Sequence, residues 1–591
     1  MKLNVKQKSN ILVLIQAVFI IAWLSNLAHT DAYFSVYALC ALGSVFCICD
    51  NYYVRPVNKL NHIGLLCFLS ATFSIITLAA NYSLFSQSRD LEIIAHSTNQ
   101  LLNLLNIVCS LVGGSFVAFN ILSWISVRVP LDCSVKPRIS DSKKSLIFIL
   151  GIFLSIVFIN LVHLLLVEYP GNATQDSINQ MDQIYTQEYT NRHPFWHTIL
   201  LKIIMSAGYT LFGSSNAAVA FYCVFQIIVI AACFTYGLFT LYQAGIPKLF
   251  VILSYAVYAL LPYNIAFSIT IWKDVLFGIS TLLIVASMYR IMNKLGNNQI
   301  LNYIVFAIGG IVFCLSRTNG WPVYLVCLLI FTVFLVKNYK KLLITMASVF
   351  VFCWILTNPI VSALTVSGTD YTEALSIPLQ QISRVIADGH ELTEEETALI
   401  SEILDIEEVP ELYTSWLSDP IKIEMKSNNT EYFEENITEY IKLWGKLGLK
   451  YPDEYFKAWV DQTKGYWNGG YDYAQYSETV TKNNYSIAKA DSNNIIAKLS
   501  NMYFGFSRHS VFFEPLHSIG LHVWLAVLCC VFNAVKKRKE FLLSLPALIV
   551  IIGLWLGTPV YSSFRYAYPL FTSFPLILAF TLYHSDREHE L

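Results

Sequence analysis

Apolar residues fall in long runs along most of this chain, and the runs have the length of a membrane crossing. A crossing helix needs about 20 mostly apolar residues. Such runs lie near 11–28, 33–50, 63–80, 104–126, 145–167, 217–241 and 248–269, and again near 275–292, 302–316, 321–336, 342–358, 514–534, 541–556 and 564–583. The pattern predicts an all-α polytopic membrane protein with about 14 transmembrane helices. The stretch 198–213 is apolar but short and carries Lys202, which predicts a re-entrant or interfacial helix. The first run follows Lys2, Lys6 and Lys8 with no small-residue cleavage site before Asp31, the pattern of a signal anchor. Between 359 and 513 the long runs stop. There a capping box at Thr393–Glu396 and a helix start at Pro452-Asp453 predict a mainly helical domain.

Composition supports that solvent. Of 591 residues, 55% are hydrophobic and 13% charged, about half the ~25% charged share of soluble domains. A soluble enzyme and a disordered chain are excluded. With 39 Lys and Arg against 40 Asp and Glu, the chain lacks the basic footprint of a nucleic-acid binder. The 13 cysteines lie almost all in apolar runs, none between Cys353 and Cys529, so no disulfide framework is predicted.

Charge adds sidedness. Arg55 and Lys59 share a loop, as do Arg128, Lys136, Arg138, Lys143 and Lys144. Lys248, Arg290 with Lys294, Lys337 with Lys340 and Lys341, and the run Lys536, Lys537, Arg538, Lys539 complete a pattern in which alternate loops are basic. The positive-inside bias then predicts both termini cytoplasmic and the insertion 359–513 outside a membrane read as the plasma membrane. That insertion holds 24 acidic and 12 basic residues, a net −12 that leaves +11 elsewhere. Four blocks follow: a four-helix membrane extension at 1–144, a membrane core at 145–358 with a first outer loop at 168–198, an acidic extracytoplasmic domain at 359–513, and C-terminal membrane helices at 514–591.

Four outer loops break the pattern. They carry Asp176, Asp182, Arg192 and His193 in the first; Lys273 and Asp274 in the second; Arg317 and Asn319 in the third; and Arg565 and Tyr566 in the fourth. Charge at a membrane boundary is costly unless paired or solvated, which makes these residues functional candidates. Each also has an ordinary reading. Lys273-Asp274 suits a helix start, Arg317 and Arg565 suit snorkelling side chains, and Asp176, Asp182, Arg192 and His193 suit a solvated loop. Their common side favours a joint role. Arginine offers a planar fork to phosphate oxygens and lysine a point charge, so three cations and a carboxylate suit a phosphate-bearing lipid and an acid–base step.

These loops resemble those of the type-C (GT-C) membrane glycosyltransferases, which include protein O-mannosyltransferases and lipid A aminoarabinose transferases. The resemblance rests on PGNATQDS with Asp176, on His193-Pro194 before a short amphipathic segment, and on WKDVLFG, RTNG and RYAYP. The chain is closer still to an uncharacterised bacterial membrane family related to that class, with the PG…DS, KD and R-x-NG patterns. The likeness spans roughly 145–583. It implies transfer of a sugar from a polyprenyl-phosphate carrier to a glycan, lipid or protein acceptor on the outer face of a bacterial envelope, with inversion. It further implies Asp176 as general base, Lys273, Arg317 and Arg565 as phosphate or carrier contacts, and a possible divalent metal. The paired acids of that class are not adjacent here, since Asp176 and Asp182 are six residues apart, so the base is one of the two.

Other classes stay open. A flippase or transporter of a lipid-linked saccharide would place charges near the midplane and repeat its halves; an envelope glycan polymerase or ligase would share the large outer loop. No HExxH, CxxC pair, P-loop or GxSxG is present to support a metalloprotease, ATPase or serine hydrolase. Tyr466, Trp467, Tyr471 and Tyr473 suit either stacking on sugar rings or plain packing. The tripeptides at Asn428, Asn436 and Asn484 imply glycosylation only in a eukaryotic secretory host.

Overall fold

In a bilayer an unpartnered backbone N–H or C=O is costly, so an apolar run must close its hydrogen bonds within its own helix. The computed structural model describes residues 5–28, 34–54, 60, 62–82, 96–128, 133–138, 142–191, 193–364, 371–428, 430–470, 476 and 479–585. Helices of seven residues or more are numbered in order. The first bundle is α1 (Val5–Leu27), α2 (Phe34–Cys49), α3 (Ile63–Ala80) and α4 (His96–Arg128). A central body follows with α5 (Ser142–Leu166), α6 (Gln175–Thr186), α7 (Phe195–Phe212), α8 (Ser215–Gln243) and α9 (Lys248–Leu260). It continues with α10 (Pro262–Ser268), α11 (Lys273–Met292), α12 (Gln299–Ser316), α13 (Gly320–Leu335) and α14 (Lys340–Ile355). The insertion contains α15 (Ser376–Ala387), α16 (Glu394–Ser401), α17 (Asp419–Ser427), α18 (Ile437–Lys450), α19 (Pro452–Thr463) and α20 (Ile495–His509). Closing the body are α21 (Ile519–Val535), α22 (Phe541–Gly557) and α23 (Phe564–Leu582).

Among the described residues ten helices are long and apolar enough to cross a membrane, or eleven if α9 and α10, bent by 51° at their junction, form one span. α13, α21 and α22 are shorter apolar helices. The protein is thus an all-α polytopic membrane protein. One expectation is revised: the stretch predicted as a short 198–213 segment starts earlier, at Phe195 directly after Pro194, and its 18 residues reach crossing length. Pro194 stands just before the helix with an extended ψ of 118°, so the helix begins at the next residue.

α11 is the centre of the body and is buried along almost its whole length. Val275, Phe277, Leu282, Val285 and Met288 are inaccessible, so its residues are enclosed on all sides rather than along one stripe. At one end of the body Cys133–Val135 pairs in parallel with Tyr583–Ser585. Arg138 there donates to the carbonyls of Tyr242 and Ile246 at 2.8 Å each, capping the end of α8. Segments from two of the basic loops and the stretch that follows α23 thereby meet at one end.

The insertion has a core of its own, built from Leu379, Ile382, Leu404, Ile421, Met425, Leu443 and Leu447. Both bonds of the predicted capping box form: Glu396 N–H donates to Thr393 Oγ1 at 3.3 Å, and Thr393 N–H to Glu396 Oε2 at 2.9 Å. Pro452 opens α19 as predicted. The rest of the insertion is a strap. Its residues 479–481 lie alongside Ala173, and α20 rests on the end of α5, where Asn494 donates to the Leu166 carbonyl at 2.6 Å.

Candidate functional site

The loop between α5 and α6 and the turn before α11 are stitched together through their backbones. Asn172 N–H donates to Ile269 O at 2.8 Å, and Ile271 N–H to Asn172 O at 3.0 Å. Gly171 enters this contact at φ +113°, where a Cβ would meet Cys223 Sγ at 2.5 Å and Ile269 O at 2.9 Å. Only glycine permits that approach. Beyond it Thr174 caps α6, accepts from Trp272 Nε1 at 2.7 Å, and is followed by Ser177, whose hydroxyl donates to Ile271 O at 2.7 Å. Gln226, buried in α8, holds the other side of the turn by donating to the carbonyls of Phe267 and Thr270 at 2.8 Å each. These bonds set the first turn of α6 against the first turn of α11.

Asp176 and Lys273 therefore meet. The Asp176 carboxylate lies 2.7 Å from Arg565 Nη1 and 3.6 Å from Lys273 Nζ. Lys273 also donates to His193 Nδ1 at 2.8 Å. Arg317 pairs with the fully buried Asp274 at 2.5 Å. The guanidinium carbons of Arg317 and Arg565 stand 4.5 and 4.7 Å from the centre of the Tyr566 ring, and Arg565 is also 5.4 Å from the Trp272 ring. Cations held against aromatic faces keep their charge while shedding water.

The site carries three cations against two carboxylates in a mostly buried setting. It is also where four helices begin: α6, α11, α13 and α23 have Asp176, Lys273, Asn319 and Arg565 at or next to their first residues. Helix N-termini present the positive end of the backbone dipole. Burial alone would raise the Asp176 carboxyl, but Lys273, Arg565 and His193 outweigh it and hold the group well below the usual carboxylate range. Two oxygens, Asp274 Oδ2 and Asn319 Oδ1, are buried without a hydrogen-bond partner among the described residues. The arrangement suits an anion with hydroxyl donors nearby.

Asp176, His193, Lys273, Asp274, Arg317, Arg565 and Tyr566 thus gather in one place, with Asn319 two residues beyond Arg317 at the start of α13. Asp182 does not join them. It is exposed and accepts a hydrogen bond from Tyr485 of the strap, because six residues along a helix is about 9 Å along the axis and about a third of a turn around it. Arg192 lies outside the described residues. Tyr466 and Trp467 are buried, Trp467 against Trp459 at 5.8 Å, so packing is their role rather than an exposed sugar platform; Tyr471 and Tyr473 lie outside the described residues. A divalent metal does not fit the donors present: both carboxylates face basic side chains, and no group of three His, Cys, Asp or Glu side chains placed to hold a metal ion occurs among the described residues.

Sequence reasoning passed over Trp272, Thr174 and Gln226. The signal for Gln226 was present, since a glutamine amid an apolar run needs a buried partner. Thr174 and Trp272 stand inside PGNATQDS and WKDVLFG, but nothing local assigned either a role.

Fold and site define a polytopic helical membrane protein with a buried cationic centre at one end of its bundle. The chain belongs to a family of unknown function, DUF6020, which matches residues 183–590. The matched stretch includes His193, Lys273, Asp274, Arg317, Asn319, Arg565 and Tyr566 and begins after Asp176. No curated protein and no solved structure matches the chain.

Proposed function

We propose that this protein is a glycosyltransferase that moves a sugar from a polyprenyl-phosphate carrier to an envelope acceptor on the outer face of the membrane. The observation that carries the reading is the Asp176 carboxylate set between Arg565 and Lys273, with Arg317 on the same Tyr566 ring. Without substrate these cations suppress the basicity of Asp176. The donor's phosphodiester matches a carboxylate in charge and free oxygens, and it gains a second charge as the sugar leaves, so it competes for the same groups most strongly as the bond to the sugar breaks. Once it takes over Arg565 and Lys273, Asp176 is released as a base beside the reacting sugar.

The step balances simply. The acceptor hydroxyl proton passes to Asp176, and the acceptor oxygen bonds to the anomeric carbon from the face opposite the phosphate. The carbon–oxygen bond to phosphate breaks, and its electron pair leaves with the polyprenyl phosphate, whose charge is met by Lys273, Arg317 and Arg565. A placed base contributes about 10²–10⁴-fold, and fixed cations lower the barrier further by meeting charge as it develops.

The test uses purified full-length protein with radiolabelled polyprenyl-phosphate sugar and envelope acceptor. Asp176→Asn is expected to lower turnover by at least ~10²-fold and, by removing the internal competitor, to bind the carrier phosphate no more weakly than wild type. Lys273→Ala weakens that binding. Normal turnover by D176N removes the mechanism.

A second reading, movement of the lipid-linked saccharide without bond cleavage, is favoured by one feature, the break between α9 and α10. Carrier phosphate released in step with glycosylated acceptor supports the transferase; transbilayer movement of intact donor supports the transporter.

A further inference from the structure

A second site lies far from the cationic centre, at the opposite end of the bundle. Between the first bundle and the C-terminal helices is a cavity of about 340 Å³. Its walls are apolar: Leu69 of α3, Leu122 of α4, and Leu528 and Phe532 of α21, with His62 and Lys536 among the residues that complete the lining. The wall from α21 runs from Leu525 to Lys536, about 16 Å of helix at 1.5 Å per residue. That equals one leaflet, since the hydrocarbon core is about 30 Å across.

The polar groups are gathered at one end. His62 precedes α3, Lys536 follows α21, and Ser126 is in the last turn of α4. All three are exposed, whereas Leu528 and Phe532 are half-buried. The Lys536 ammonium stands 5.9 Å from the Phe532 ring, so the charge is at the rim of the apolar wall. Lys537 follows Lys536 in the chain, while Lys539 lies over the Tyr339 ring instead. A leaflet-deep apolar slot with a basic rim matches an amphiphile that has an aliphatic tail and an anionic head. Basic pockets between membrane helices select such lipids.

We infer that this cavity is a binding site for one anionic phospholipid, its acyl chain along Leu69, Leu122, Leu528 and Phe532 and its phosphate at Lys536 and His62. The lipid joins the first bundle, which precedes the stretch matched by the family, to α21 and to α23, whose other end carries Arg565. The inference is independent of sugar transfer.

Native mass spectrometry of the full-length protein, with phosphatidylglycerol or phosphatidylcholine added in detergent, tests it. Wild type is expected to retain one phosphatidylglycerol under activation that strips phosphatidylcholine. Leu528→Trp, which fills the slot, should abolish that adduct. Lys536→Gln, at an exposed position, should lower phosphatidylglycerol retention about fivefold, the effect of one basic side chain near an anionic headgroup, and leave phosphatidylcholine unchanged. Equal retention of the two lipids by wild type overturns the proposal. So does an unchanged adduct in K536Q, or in L528W shown to be monodisperse.

Discussion

Ionisation decides what single side chains do in this protein. Asp176 and Glu454 are both carboxylates set against arginine, with different consequences. Asp176 is partly accessible and faces cations that an anionic ligand can take over, so its low basicity is conditional. Glu454 is buried in the insertion, where Arg384 Nε donates to it at 2.7 Å and Lys457 at 2.7 Å, while Arg384 reaches Asp461 at 2.9 Å. Burial opposes its charge, but the hydrogen bonds from Lys457 and Arg384 outweigh it and bring the carboxyl down to about 2 from an ordinary 4.5. A depressed carboxyl stabilises the fold above its unfolded pKa, and that contribution is lost as pH falls through the folded value. Glu454→Gln should therefore destabilise the insertion at neutral pH by on the order of 3 kcal/mol. The gap to wild type should close between about pH 4.5 and pH 2. Hydrogen exchange over residues 376–466, followed across that range, reads the difference directly.

The helices that carry the site are placed by the segments between them. The stretch 171–177 has backbone bonds to 269–271 on one side and to 479–481 on the other. A shift of this stretch moves Asp176 relative to Lys273 and Arg565. Gly171→Ala should lower thermal stability and, on the transferase reading, turnover together, because the new Cβ strikes Cys223 and Ile269 and the φ is unfavourable. Gly213, at φ +70° with nothing within 4 Å of a Cβ, supplies the control. G213A should cost only the backbone strain of about 1–2 kcal/mol and leave turnover near wild type. A melting curve and an activity assay on both variants distinguish local strain from displacement of the loop.

Across the molecule, the first bundle is tied to the insertion as well as to the membrane body. Tyr37 of α2 donates to Asn468 Oδ1 at 3.0 Å and accepts from its amide at 2.8 Å. Its ring lies so close to Gly470 that a Cβ there would meet it at 2.1 Å. Tyr82, just past α3, donates to Asp461 at 2.6 Å, and Phe73 packs edge-on against Trp524 of α21 at 5.8 Å. The bundle thus braces the segment that follows Tyr466, which itself is within electrostatic reach of Arg317 and Arg565. Tyr37→Phe leaves the Asn468 side chain buried with one partner fewer, a loss of about 1–2 kcal/mol. Faster amide exchange at 464–470, with α11 unchanged, is the expected readout.

Much of this was legible in the chain. Each predicted apolar run overlaps a helix, because lipid leaves the backbone no other partner; the capping box at Thr393 and the start at Pro452 form because their bonds are local. The candidate residues were legible as charges out of place, but not which of them belong together. Asp176 joins Arg565 across 389 positions while Asp182, six residues away, turns to Tyr485 instead. Residue type and spacing determine helix, span and charge, since these depend on neighbours in sequence and on the solvent. Which carboxylate faces the cations was decided only by tertiary packing, through Gly171, Gln226 and Trp272, because side chains from remote segments meet only where whole helices fit against one another.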